Sequence, residues 1–291
     1  MVRRGAWLIV LMSALYAHAA QPSGSLFFWN IPRQKVTAHL RSVPLRNSER
    51  RARLKQLFLE EECPGENLKE HDDNLWCVLP GKDDLTLIVA AHYDRRGAGV
   101  GAIDDWSGAV MVPLLYKSLT AQSQPHTILF VELAGDKGAA RFLSRLGKAE
   151  RRRIAAFVDL EALGLGNTAY FANPNAGGDR LNFAEYHLIQ LTYASARVLG
   201  EPVLPDHFDS RLGLKHDLTQ RFRWSDIPSI TMHSISRETQ KIPGSELDTP
   251  EMLQDQSYFQ SYRLLCAYVA YTTFLLDKLA MDDPIWHTRV H

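Results

Sequence analysis

His92 and Asp94 stand two residues apart at the end of the apolar run Leu87-Ile88-Val89-Ala90-Ala91. A glycine-rich stretch then carries Asp104 to a Ser107-Gly108 helix start, and Asp159 ends a second apolar run, Ala155-Ala156-Phe157-Val158. Zinc that activates water takes nitrogen and oxygen ligands and keeps one position open. His92, Asp104 and Asp159 are the donor types such a site needs. Asp94 is the neighbouring acceptor that fixes the tautomer of a ligating histidine. Each has a plainer reading: a hydrogen-bonded core histidine, a helix cap at Asp104-Asp105, a strand-end carboxylate. Their shared position at strand ends or the loops that follow favours the metal site.

The surrounding elements are those that place side chains in this way. Leu85–Ala91 is nearly all apolar and too short for a helix, so it reads as a strand buried on both faces. Strands are also expected at 75–79, 127–133, 155–160 and 229–232, with Pro80-Gly81-Lys82-Asp83-Asp84 as a turn. Between them, helical patterns cover 32–62 (divided at Pro44), 107–119, 139–148, 179–200 and 250–279, and Pro113 should kink or shorten its helix. Alternating strands and helices predict an α/β fold: a three-layer sandwich with a mixed, mostly parallel sheet and helices on both faces. Ligands of such sheets bind beyond the carboxyl ends of the strands.

Composition narrows the function classes. Of 291 residues, 45% are hydrophobic and 23% charged, which suits one large domain. Lysine plus arginine equals aspartate plus glutamate, at 33 each, so no overall field favours nucleic acid. Arg151-Arg152-Arg153, the one dense basic run outside the N-terminus, reads as a solvated helix end. Residues 1–19 read as a secretory signal: Arg3 and Arg4, an apolar segment from Trp7 to Leu15, and Ala17-His18-Ala19 at the cleavage site. The expectation is a secreted or periplasmic protein with no stable membrane span after cleavage. The expected layout is a signal at 1–19, a helical segment at 20–70, a catalytic-type domain at 71–281 and a tail at 282–291. In an oxidising compartment Cys63 and Cys77, 14 residues apart, are close enough to bridge neighbouring segments, while Cys266 reads as a buried thiol. Gly97–Ala102 has the wrong spacing for a dinucleotide loop, and no Gly-x-Ser-x-Gly elbow is present.

The motif segments resemble the superfamily of zinc aminopeptidases, glutaminyl cyclases and glutamate carboxypeptidases. Its members carry His-x-Asp, then Gly-Ala-x-Asp-x-x-Ser-Gly, matched by His92-Tyr93-Asp94 and Gly101-Ala102-Ile103-Asp104-Asp105-Trp106-Ser107-Gly108. A strand ending in Glu-Glu corresponds to Asp136-Lys137, and one ending in Asp to Val158-Asp159. A proline-led strand corresponds to Ile227–Ile230, and a His-[Ser/Thr]-x-x-Asp-Thr turn to Gly244-Ser245-Glu246-Leu247-Asp248-Thr249. The likeness covers about residues 70–280 in consistent order.

The resemblance implies a metal held by His92 and Asp159, with Asp104 bridging to a second, Asp94 orienting His92, and Asp136 as the catalytic base. It also implies a loss. Lys137 and Gly244 stand where the second metal's glutamate and histidine should be. The expectation is therefore one zinc rather than two, on His92, Asp104 and Asp159, in a hydrolase of peptide or amide substrates. Lys137 would then supply the missing positive charge beside Asp136. Alternatives stay open: His233, His207 or His216 restores a ligand, or the chain is an inactive pseudopeptidase used as a binding module. Glutaminyl cyclisation is the remotest, since it relies on the half-site lost here.

Overall fold

The apolar run that ends in His92 forms the middle of the protein. The structure is a computed structural model that describes residues 28–171, 183–201 and 218–281. The signal-like residues 1–19, the 282–291 tail, His207, His216 and residues 179–182 of the expected helix lie outside the described residues. Two helices come first, α1 (Arg33–Thr37) and α2 (Asn47–Glu60), separated at Pro44. The hairpin β1 (Leu68–His71) and β2 (Asn74–Leu79) follows, then the central strand β3 (Gly81–His92). Next come α3 (Ser107–Leu119), β4 (Gln124–Leu133), α4 (Gly135–Arg145), α5 (Lys148–Arg153), β5 (Ile154–Leu160) and β6 (Ala169–Phe171). The remaining elements are α6 (Phe183–Leu199), α7 (Leu218–Arg223), β7 (Ser229–His233), α8 (Asp255–Phe274) and α9 (Leu276–Met281).

The described strands form one sheet in the order β1-β2-β4-β3-β5-β7-β6. Its centre, β4-β3-β5-β7, is parallel, and antiparallel strands close both edges. The expected mixed, mainly parallel α/β sheet is what forms. Alternate residues of β3 serve opposite faces, as a two-residue period requires. Leu87, Val89 and Ala91 join the larger core with α2, α3 and α8, whereas Ile88 and Ala90 join Phe142 of α4 and Phe222 of α7. The Phe157 and Phe222 rings stack with centroids 3.6 Å apart.

Several local expectations are corrected. The stretch predicted as a turn at Gly81–Asp84 is the start of β3, paired to β4 through Gly81↔Gln124 and Asp83↔His126. A hydrogen bond of 2.8 Å between His126 Nδ1 and the Asp83 carboxylate holds it there. Pro113 neither ends nor divides α3, which runs through it and is buried along most of its length. Packing on all sides outweighs the one backbone hydrogen bond that a proline removes. The helix expected at 139–148 begins earlier, at Gly135, and the one expected to 279 divides at Leu275 into α8 and α9. Cys63 and Cys77 are joined as a disulfide that ties the end of α2 to β2, and Cys266 is a buried free thiol. No helix among the described residues is long and apolar enough to cross a membrane.

Candidate metal centre

Parallel pairing brings the carboxyl ends of β3, β4, β5 and β7 to one edge of the sheet. His92 ends β3 in register with Leu133 of β4. On the other side Ala90 pairs with Asp159, so the residue level with His92 is Glu161, two positions beyond Asp159. The Glu161 N–H donates to the Met232 carbonyl at 3.0 Å, which keeps the chain in register at this point. His92 Nε2 and Glu161 Oε1 lie 3.8 Å apart, and both residues are almost fully buried.

Asp104 arrives from the loop after β3. Residues Ala102–Trp106 form a π-turn that runs directly into α3, and widened turns of this kind recur at functional sites. The buried carboxylate of Asp248 fixes this turn by accepting from the N–H groups of Ile103 at 2.7 Å and Asp104 at 3.3 Å. It also accepts from the Gly244 N–H at 2.8 Å, joining the two loops that face each other across the site. One ligand atom each from His92, Asp104 and Glu161 lie within 4.8 Å of one another, the one such triad among the described residues.

This triad differs from the sequence expectation at one position, with Glu161 in place of Asp159. Asp159 points in the same direction along β5 but sits about 6.6 Å further back, at ~3.3 Å per residue. Its Oδ2 accepts from the Thr231 hydroxyl at 3.3 Å, and it is not part of the triad. The signal was present in Asp159-Leu160-Glu161, where two acidic residues of the same parity end one strand. Counting the register from His92 selects the second.

Of the other expected residues, Asp94 lies beside the triad. Asp94 Oδ1 lies 3.3 Å from His92 Nδ1, leaving Nε2 directed toward Glu161. Arg96 binds the same carboxylate with two donors, at 2.9 and 3.2 Å. Burial raises the Asp94 carboxyl, but His92 and Arg96 outweigh it and hold it at about 2. Asp136 and Lys137 open α4 just after Gly135. At φ +63° Gly135 has no Cβ, and one would lie within 2.4 Å of the Asp94 carboxylate, so only glycine allows this approach. Asp136 is half-buried and Lys137 exposed. His233 ends β7 fully buried, its Nδ1 accepting from the Ile235 N–H at 3.1 Å, and burial lowers it to about 4. It stands outside the triad.

The triad suits zinc. Donors at 2.0–2.2 Å in a tetrahedral shell lie roughly 3.3 Å from each other, close to the His92–Glu161 separation. Glu161 Oε2 is buried without a hydrogen-bond partner among the described residues, a costly arrangement that a cation would relieve. Among the described residues no second group of three ligand side chains gathers beside Asp104; position 244 is a glycine and position 137 a lysine.

The model of peptidase family M28 matches residues 74–269, well over half of the 291. The chain belongs to peptidase family M28. No curated protein resembles it closely in sequence. A zinc aminopeptidase from Bacillus subtilis is similar in structure, with TM-score 0.56 at 17% identity, covering 68% of this chain and 49% of that one. The glutaminyl cyclase of Fimbriiglobus ruber aligns with TM-score 0.66 at 14% identity over 86% of this chain and 99% of its own. The Legionella pneumophila LapA aminopeptidase aligns with TM-score 0.61 at 13% identity over 90% and 79%. At these identities the likeness establishes the α/β fold. The chain spans about half the length of the first aminopeptidases it matches.

One buried group beside the centre was invisible in the sequence. Glu132 lies inside an apolar strand, opposite Ala91, fully buried and with no hydrogen-bond partner for either oxygen among the described residues. Burial raises its carboxyl well above the usual range, against a smaller opposing influence of His92. The folded chain therefore keeps a proton that the unfolded chain loses above its ordinary pKa of about 4.3. Its contribution falls as pH rises from there toward the raised folded value, by about 1.4 kcal/mol per pH unit. Glu132→Leu removes this slope. Urea unfolding of the metal-free variant should show it more stable than wild type near pH 8, with the gain shrinking toward pH ~4. Parallel pH curves would show that Glu132 does not carry this proton.

Proposed function

We propose that this M28 protein is a metal-dependent hydrolase of peptide or related amide bonds, with one zinc held by His92, Asp104 and Glu161. The observation that carries the reading is the convergence of these three ligand atoms at the carboxyl edge of the sheet. Zinc in such a site supplies Lewis acidity, lowering the pKa of water toward neutrality and polarising a carbonyl. The protein's own residues supply the rest. Asp94, with Oδ1 3.3 Å from His92 Nδ1, is placed to favour the tautomer that leaves Nε2 available to bind the metal. Arg96 keeps that carboxylate ionised, so it acts as an acceptor throughout the working pH range. Asp136 serves as general base, taking the proton of the attacking water and returning it to the leaving amine. Lys137, exposed in the first turn of α4, would supply a positive charge to balance charge developing on the carbonyl oxygen.

Residues 1–19 and the Cys63–Cys77 disulfide support export to an oxidising compartment as part of this proposal. A second reading, a binding module without catalysis, is favoured by the coordinated loss of donors at 137 and 244. Metal content and turnover separate the two. Protein purified without chelator should contain about one zinc per chain, lost in His92→Ala, and should hydrolyse members of an amide panel in a chelator-sensitive way. Lys137→Ala should lower turnover about 10-fold or more with the metal retained. Zinc without hydrolysis of any amide, including N-terminal glutaminyl peptides, would establish the binding module.

A further inference from the structure

The residues that hold the two ligand loops together come from outside the family match. Arg50 lies on α2, upstream of residue 74, where the match begins. It is fully buried, and its guanidinium donates to four backbone carbonyls. Nε reaches Pro44 at 2.9 Å, Nη1 reaches Tyr93 at 3.0 Å, and Nη2 reaches Val100 at 2.5 Å and Gly101 at 3.1 Å. The group also lies 5.7 Å from the centroid of the Trp106 ring. Tyr93 follows the ligand His92 directly. Gly101 begins the turn that carries Asp104, and its carbonyl also accepts from the Trp106 N–H. One planar fork thus spans both loops.

Two further contacts from the same segment fall on the same loops. The Arg95 N–H donates to Asn47 Oδ1 at 2.9 Å, and Trp106 Nε1–H donates to the His39 carbonyl at 2.9 Å. We propose that Arg50 is a positioning residue of the metal site, and that the segment before the family domain sets the spacing between His92 and Asp104. This rests on the reading of His92, Asp104 and Glu161 as metal ligands. The guanidinium is suited to the task because its donors are fixed in a plane. A lysine keeps the charge but has one flexible ammonium, which cannot meet carbonyls on both loops in the same way.

The test compares Arg50→Lys with Leu54→Ala, which removes a buried side chain from the same helix. Zinc affinity is read by competition with a chromophoric chelator, alongside the melting temperature of the metal-free proteins. Arg50→Lys should weaken zinc about 10- to 100-fold, the range seen when groups supporting metal ligands are lost. Leu54→Ala should lower the metal-free melting temperature and leave zinc affinity within about 3-fold of wild type. Asn47→Ala, an exposed change compatible with folding, should weaken zinc a few-fold through the Arg95 contact alone, and it stands in if Arg50→Lys does not fold. Wild-type zinc affinity in Arg50→Lys, or in Asn47→Ala where that stands in, overturns the proposal and leaves Arg50 as a packing residue. A wild-type chain that takes up no zinc overturns the metal site itself, and the positioning role with it.

Discussion

Glu161→Ala should empty the metal centre, while Asp159→Asn should leave it loaded. The two residues are neighbours in type and parity, and the register of the sheet separates them. Glu161 lies level with His92, 3.8 Å from its Nε2, whereas Asp159 sits opposite Ala90 and accepts from Thr231. Removing one of three protein donors should weaken zinc by more than about 100-fold, beyond the usual effect of a supporting group. Chelator-sensitive hydrolysis should disappear with it. Asp159→Asn instead exchanges a buried carboxylate for an amide of the same shape, and its cost should be about 1–3 kcal/mol of stability with metal content unchanged. Metal analysis of the two purified variants and a urea titration of each give the answer. Zinc lost from Asp159→Asn and kept in Glu161→Ala would move the site two residues deeper along β5.

That two-residue difference marks where the sequence was informative and where it was not. The strand ending at His92 was legible because seven successive buried residues, Thr86–His92, leave no polar face to read otherwise. The same argument found the buried parts of β2, β4, β5 and β7, and so the parallel centre. It could not find β1, whose Leu-Lys-Glu-His is mostly exposed, or β6, which is three residues long. Both are edge strands, specified by pairing to a neighbour more than by their own composition. At the site, His92, Asp94 and Asp104 were readable because local spacing sets their positions. Glu161 depends on the register of β5 against β3, a relation between distant segments. Arg50 and Asp248 act through backbone N–H and carbonyl groups, which look alike at every position of a sequence.

Lys137→Glu combined with Gly244→His should raise the zinc content from about one to about two per chain. A Cβ built on Gly244 has a single neighbour within 4 Å, Asp104 Oδ2 at 3.6 Å, so a histidine there begins beside the carboxylate that would bridge two metals. The carboxylate introduced in place of Lys137 would supply a third donor from the start of α4. The backbone resists slightly: Gly244 has φ +68°, and a side chain in that region costs about 1–2 kcal/mol. A three-donor zinc site contributes several times that amount. Gly244→His alone offers only two donors and should bind the second ion far more weakly. A folded double variant that still holds one zinc would show that the loop around 244 cannot form this half-site. Where the second ion does bind, turnover tells what the natural residues do. A rise in hydrolysis would mean that Lys137 and Gly244 mark a lost function. A fall, with both ions bound, would mean that the ammonium of Lys137 contributes to catalysis in a way the second metal does not reproduce.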